Sequence, residues 1–227
     1  MTTTVQIRPL VSRSLQRAPI IGVVRTPSRE EAARRARLFA ASGIELVEIT
    51  FSVPGASGLV RELLAERGGD GPPWFGMGTV TTAARAREAV AAGAEFFVTP
   101  NVSAAVAHEA RQADLFLVIG ALTATEIVTA HELGADIVKV FPLPPVGGPA
   151  YLETVRGPLS DIPMLAAGGY GIEDIPAYAR AGATAFGIGA PLLGSGDEET
   201  RQRIRRGLEL ARGGKPITSH EHEETTR

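Results

Sequence analysis

The chain contains no cysteine, and that absence removes disulfides, thiolate metal sites and cysteine nucleophiles together. It has no apolar run near the roughly 18 residues that a membrane-spanning helix needs. The stretch from Met1 to Pro19 mixes Arg with Thr and Ser instead of forming the apolar core of a signal peptide. A soluble, cytoplasmic protein is therefore expected. Neither sign of charge is in excess: the formal net charge is −2 over 227 residues. Nothing electrostatic then points to a nucleic acid or a membrane surface as partner, and small molecules become the expected ligand class. Histidine is scarce and poorly placed for a metal centre. Of the four, His108 and His131 fall in helix-patterned segments, and His220 and His222 lie in a polar tail among acidic neighbours. Lysine is scarcest of all: of 23 lysines and arginines, only Lys139 and Lys215 are lysine, and Lys215 lies in the tail. Such an arginine- and alanine-rich composition points to a bias that turned nearly every exchangeable lysine into arginine. The lysine left in the body of the chain is then the one whose chemistry arginine cannot supply.

What is present is alternation. With 44% hydrophobic and 21% charged residues, the chain suits one globular domain with a substantial core. Short β-branched apolar runs alternate with longer helix-patterned segments through eight cycles. The strand candidates are Ile20–Val24, Leu46–Thr50, Trp74–Gly78, Phe96–Thr99, Leu115–Ile119, Ile137–Phe141, Met164–Ala167 and Ala185–Ile188. Helices are expected over Arg29–Ala41, Gly58–Ala65, Ala83–Ala92, Ala104–Gln112, Ala124–Leu133, Ala150–Val155, Glu173–Ala181 and Glu199–Ala211. Ser28, Thr82, Ser103 and Thr123 stand where N-caps belong, and Gly43, Gly93, Gly134 and Gly182 end helices before the next strand. Eight βα units in about 200 residues predict a single α/β domain over residues 1–212, a (β/α)8 TIM barrel; a doubly wound sheet rarely needs eight strict repeats. An extra N-terminal helix, Pro9–Arg17, is placed to close the bottom of the barrel. Residues 213–227 are polar without an apolar face and are expected to be disordered.

In such a barrel the chemistry sits at the C-terminal ends of the strands. Strand six reads ADIVKVFP, and period-2 alternation puts Ile137, Lys139 and Phe141 on one face. A lysine buried in an apolar run pays for its charge in desolvation, which favours the neutral amine that attacks a ketone. The alternative is a lysine paired with a carboxylate simply to fill the barrel. Strand two reads IELVEIT, with Leu46, Glu48 and Thr50 on one face. Glu48 can face the lysine across the barrel as a proton shuttle, or serve as a structural partner of Lys139 or Arg25. Strand one ends in VVRTPS, so Arg25 stands at the mouth, where a guanidinium holds a carboxylate or phosphate bidentately or forms a surface ion pair. Strand three runs into GMGTV, where Thr79 offers a hydroxyl or a plain turn. Strands seven and eight end in AAGGYG and FGIGA, the place where barrels commonly bind phosphate through backbone amides.

The ordered set VVRTPS, LVEITFSVP, GMGTV, FFVTPN, ADIVKVFP, AAGGYG and GIGA resembles the 2-keto-3-deoxy-6-phosphogluconate (KDPG) and 4-hydroxy-2-oxoglutarate (KHG) aldolase family, including its 6-phosphogalactonate-type members, over about residues 19–195. The resemblance implies a class I aldolase, a carbon–carbon lyase working without cofactor or metal. Its substrate would be a 2-keto-3-deoxy-6-phospho sugar acid of gluconate or galactonate type, or 4-hydroxy-2-oxoglutarate. The products would be pyruvate and either glyceraldehyde 3-phosphate or glyoxylate. It further implies that Lys139 forms the Schiff base and Glu48 is the general acid/base. Arg25 and Thr79 would contact the pyruvyl portion, with Phe141 and Pro142 lining the pocket. Gly168, Gly169, Gly187 and Gly189 would surround the far end of the substrate. A homotrimer is implied as well. Two features depart from the pattern. Ala166 and Ala167 stand where gluconate-type enzymes carry Pro-Thr, which leans the resemblance toward galactonate-type relatives. Ala190 stands where a phosphate-binding serine is common.

Two other readings use the same features. A phosphate-binding barrel isomerase or synthase would need the glycine loops and no covalent lysine, and a non-catalytic sugar-acid-binding barrel would keep Lys139 and Glu48 for packing alone. On the aldolase reading an iminium serves as the electron sink, so activity should survive exhaustive EDTA treatment unchanged. Activity lost to EDTA and restored by a divalent metal would contradict this.

Overall fold

Eight strands close on themselves in strict chain order. The computed structural model describes residues 6–213. Its strands are β1 (Ile20–Val24), β2 (Leu46–Thr50), β3 (Trp74–Gly78), β4 (Phe96–Val98), β5 (Phe116–Ala121), β6 (Ile137–Val140), β7 (Met164–Ala167) and β8 (Ala185–Ile188). Each pairs in parallel with its neighbours, and β8 returns to β1. Helix α1 (Ile7–Arg17) precedes β1. Helices α2 (Arg29–Ala41), α3 (Ala56–Arg67), α4 (Ala83–Ala91), α5 (Ala104–Gln112), α6 (Ala124–Glu132), α7 (Pro149–Arg156), α8 (Ile175–Arg180) and α9 (Asp197–Gly213) follow the strands in turn. This is the (β/α)8 barrel with an added N-terminal helix that the alternation predicts. No helix among the described residues is long and apolar enough to cross a membrane. The tail expectation, past Gly213, falls outside the described residues.

Local chemistry sets the boundaries. Ser28, Thr82, Ser103 and Thr123 each accept a hydrogen bond from the backbone amide three residues on, and Glu126 completes a capping box with Thr123. The eighth helical segment differs from expectation: it splits into a 3₁₀ turn (Ile172–Asp174) and the short α8, whose first turn contains Pro176. β4 stops one residue earlier than expected, where the Thr99 hydroxyl turns back to donate to the Asn101 carbonyl at 2.7 Å. α3 gains residues at both ends: Gly55, at φ 65°, admits the turn that starts it, and it runs on to Gly68, at φ 61°, which ends it.

Two apolar layers result. The larger lies between strands and helices. The smaller fills the barrel interior and contains Ile21, Leu46, Trp74, Phe96, Phe116, Ile137 and Leu165, with Val11 and Leu15 of α1 plugging it from below. Trp74 donates its indole N–H to Ser14 of α1 at 2.8 Å, and Arg8 of α1 pairs with Asp136 at 2.7 Å. A buried Trp removes 150–250 Å² from water, worth roughly 4–6 kcal/mol, whereas a partly exposed ion pair such as Arg8–Asp136 contributes about 0–1 kcal/mol. The apolar floor, more than the charge pairs, therefore seats the plug. One step further along the strands the inward positions shrink to Gly76, Val98, Val118, Ala167 and Gly187, and then to Gly78 and Gly120. A barrel wide at the floor in side-chain volume and narrow at the top leaves a pit at its C-terminal mouth.

Glycine does two different jobs in this scaffold, and substitution separates them. Gly43, which ends α2, has φ 96°, while Gly58 lies inside α3 with open space around a would-be Cβ. Gly43→Ala should cost about 1 kcal/mol through the left-handed backbone. Gly58→Ala should gain about 0.5 kcal/mol through helix propensity. Urea unfolding midpoints moving the same way for both would refute the distinction.

Candidate active site

The pit is built around one carboxyl. Glu48, third residue of β2, points inward in register with Gly76 of β3, leans toward Gly78, and is 2% exposed. A Cβ on Gly78 would run into the Glu48 carboxyl, so glycine at that position is what lets the acid stand upright in the barrel. Its Oε1 is buried and has no hydrogen-bond partner. Burial raises the carboxyl above the ordinary glutamate range, and the positive charges of Lys139 and Arg25 pull back against it.

Lys139, third residue of β6, enters from the far side, paired in register with Gly120 of β5 and Leu165 of β7. It is only partly buried, because the pit opens above it. Its ammonium lies 5.1 Å from the centre of the Phe141 ring, a cation–π distance. Phe141 is 36% exposed and forms the rim over the lysine. No salt bridge joins Lys139 to Glu48 among the described residues, and the Glu48 oxygen is left unpaired. A lysine and a glutamate held only to neutralise each other would have closed that gap.

The rim above β1 and β3 carries the next two expected residues. Arg25 is exposed and donates Nη2 to the Thr79 hydroxyl at 3.4 Å, bridging β1 and β3 across the end of β2. Thr79 sits at φ 60°. For a β-branched residue that backbone costs on the order of 1–3 kcal/mol and persists only where surroundings impose it. Arg85, near the start of α4, donates to the Thr79 carbonyl at 3.4 Å and to the Thr81 hydroxyl at 2.9 Å, and lies 5.3 Å from the centre of the Phe51 ring. No residue pattern singles out Arg85, one arginine among many. The glycines of GMGTV are legible as room for a ligand, but the room that Gly78 leaves for Glu48 depends on the register of β2 against β3.

On the opposite rim, Gly168 takes φ 135°, and a Cβ there would press on Leu143 N at 2.9 Å and Pro142 Cα at 3.2 Å. Gly168 thus lets the exits of β6 and β7 meet, where Leu143 N donates to the Ala167 carbonyl at 3.1 Å. Gly187 faces Leu165 and Ala167, and a Cβ on Gly189 would meet the Val23 carbonyl at 2.7 Å. Gly169, at φ 89° with nothing within 4 Å of a would-be Cβ, faces open space. Pro142 is half-buried beside Phe141. The structure therefore gathers Lys139, Glu48, Arg25, Thr79 and Phe141 around one pit. Gly168, Gly187 and Gly189 serve close packing of its wall. No group of three or more His, Asp or Glu side chains able to hold a metal occurs among the described residues.

The family model for KDPG and KHG aldolase matches residues 11–206, and the chain belongs to that family of carbon–carbon lyases. It is 30% identical over 168 residues to a 2-dehydro-3-deoxy-phosphogluconate aldolase of Treponema pallidum, covering 74% of this chain and 79% of that one. It is 29% identical over 184 residues to a 2-dehydro-3-deoxy-6-phosphogalactonate aldolase of Escherichia coli, covering 81% and 88%. A solved 4-hydroxy-2-oxoglutarate/2-dehydro-3-deoxyphosphogluconate aldolase superposes with a TM-score of 0.77 at 26% identity, over 92% of this chain and 99% of that one.

The raised carboxyl of Glu48 has a measurable sign. A carboxyl whose folded pKa exceeds its unfolded value binds its proton more tightly when folded. The stability it contributes is therefore complete below the unfolded pKa, near 4.3, and is lost as pH rises through the folded pKa. Glu48→Gln removes the ionisation, so its melting temperature relative to wild type should be higher near pH 8 than near pH 4. A difference independent of pH would show that Glu48 is not desolvated in the folded barrel.

Proposed function

We propose that the chain is a Schiff-base aldolase that cleaves a 2-keto-4-hydroxy acid to pyruvate and an aldehyde, with Lys139 as nucleophile and Glu48 as general acid and base. The observation that carries this is the facing of an unpaired, desolvated carboxyl and an amine across one pit, with no salt bridge consuming either among the described residues. The free amine of Lys139 attacks the C2 ketone, and the carbinolamine loses water with proton transfer from Glu48 to give an iminium. The carboxylate then takes the C4 hydroxyl proton. Cleavage of the C3–C4 bond releases the aldehyde and leaves the electron pair as an enamine conjugated to nitrogen. Protonation at C3 and hydrolysis release pyruvate and return the amine. A carboxyl pushed up by burial is suited to both halves of that proton traffic near neutrality.

Arg25 and Thr79 hold the substrate carboxylate at the β1–β3 rim, Arg25 by charge and Thr79 by its hydroxyl. Phe141 and Pro142 wall the pit beside the lysine. The substrate is a 2-keto-3-deoxy-6-phospho sugar acid of gluconate or galactonate type, or 4-hydroxy-2-oxoglutarate. Its far end lies toward Gly168, Gly169, Gly187 and Gly189. We assign no cofactor to the reaction and read the working form as a cytoplasmic homotrimer.

The phosphate contact is expected to be weak. Ala190 opens the 3₁₀ turn after β8 without a hydroxyl, and Pro191 has no N–H. The amides of Leu192 and Leu193 already donate to Gly189 and Ala190 at 2.9 Å. Ala190→Ser should lower KM for a phosphorylated substrate by the value of one hydrogen bond to a charged acceptor, about 1.5–3 kcal/mol or roughly ten- to a hundredfold. KM for an unphosphorylated substrate should barely move. Equal effects on both would show that the position does not meet phosphate.

Steady-state cleavage by Lys139 variants tests the assignment of the nucleophile. Lys139→Arg keeps the charge and removes the nucleophile, so turnover should fall by several orders of magnitude, as far as in Lys139→Met. A Lys139→Arg enzyme that retained most of its activity would make the lysine an ion-pair partner and nothing more.

A further inference from the structure

The inference concerns Arg85 and rests on the reading that Arg25 and Thr79 hold the substrate carboxylate. Thr79 is one of two non-glycine residues among those described with positive φ, and the only one of the pair at the mouth; the other, Asp114, lies in the turn between α5 and β5. Something must hold a β-branched residue in that backbone. Its hydroxyl reaches Arg25 and its carbonyl reaches Arg85, so the threonine is grasped by guanidinium groups from both sides. Arg85 is itself well anchored. Its backbone amide donates to the Thr82 cap at 3.2 Å, its side chain donates to the Thr81 hydroxyl at 2.9 Å, and its guanidinium lies over Phe51. Phe51 in turn donates its amide to the Gly78 carbonyl at 2.9 Å, which ties the stack back to the glycine beside Glu48.

We propose that Arg85 is a positioning residue for substrate binding: it holds Thr79 in its left-handed conformation and so sets the hydroxyl where, with Arg25, it receives the carboxylate of pyruvate or of the 2-keto acid. Arg85 does not touch the substrate. Without its donors, Thr79 relaxes toward negative φ and its hydroxyl turns away from Arg25, which weakens binding of the carboxylate more than it slows the chemistry at Lys139.

The test is a mutant cycle on the full chain, read by calorimetric titration with pyruvate and by kcat and KM for aldol cleavage. Arg85→Met should raise Kd for pyruvate and KM about tenfold while kcat changes less than about threefold, and Arg85→Lys should recover part of the loss. In a Thr79→Gly background the backbone needs no bracing, so adding Arg85→Met should change Kd by less than about twofold. Non-additivity of that kind is the signature of one residue acting through the other. An equal tenfold loss in both backgrounds would mean that Arg85 meets the anion directly, and no loss in either would mean that it braces nothing; both overturn the proposal. So would loss of the folded barrel in Arg85→Met and Arg85→Lys alike, which would make the residue a structural one. A separate outcome sinks the reading beneath it: if Arg25→Ala leaves pyruvate affinity unchanged, the carboxylate is held elsewhere.

Discussion

A carboxyl with one oxygen stripped of both water and hydrogen bonds is the costliest group in the barrel interior, and the rest of the mouth is arranged around keeping it there. Glu48 stands because Gly76 and Gly78 vacate the space beside it, because the interior changes from bulky to small residues just below its level, and because two cations lie near enough to offset part of its desolvation. A closed eight-stranded barrel has room in its interior only for side chains to fill. Filling the floor with Trp74, Phe96, Phe116 and Leu165 and sealing it with α1 makes an emptier upper layer tolerable.

The chain carries a second buried glutamate that shows what an internal carboxyl looks like when it is structural. Glu95, at the base beside β4, receives both of its oxygens' partners from Arg67, at 2.8 and 2.9 Å, and a further N–H from Phe75 at 2.9 Å. Arg67 in turn rests on the Trp74 ring at 5.6 Å. Burial raises this carboxyl too, but its hydrogen bonds oppose the shift and it is satisfied. Glu48 has the same residue type, similar exposure and no comparable partners. The difference separates a group kept for the fold from a group kept available for proton transfer.

Much of this is legible in the sequence. The eight βα cycles, the four N-caps and the closing role of the first helix follow from periodicity and capping chemistry, which are local. Lys139 stood out because lysine is nearly absent, and Glu48 because an acid in an apolar strand has few bland explanations. What stayed hidden depends on register and on contacts between elements. The partial exposure of Lys139 follows from the shrinking of inward residues on the neighbouring strands. The need for glycine at 78 appears only when β3 is set against β2. The left-handed Thr79 and its brace Arg85 are joined by a turn whose backbone no residue pattern announced. The split of the eighth helix follows from a proline that the helical pattern absorbed as a first-turn residue.

The central claim, that Lys139 is the covalent nucleophile, is most directly tested by incubating the protein with pyruvate, reducing with borohydride and mapping the adduct by mass spectrometry. The account predicts one reduced pyruvyl adduct on Lys139, absent without pyruvate and absent in Lys139→Arg. An adduct confined to Lys215, or none under conditions where aldol cleavage is measurable, would contradict it.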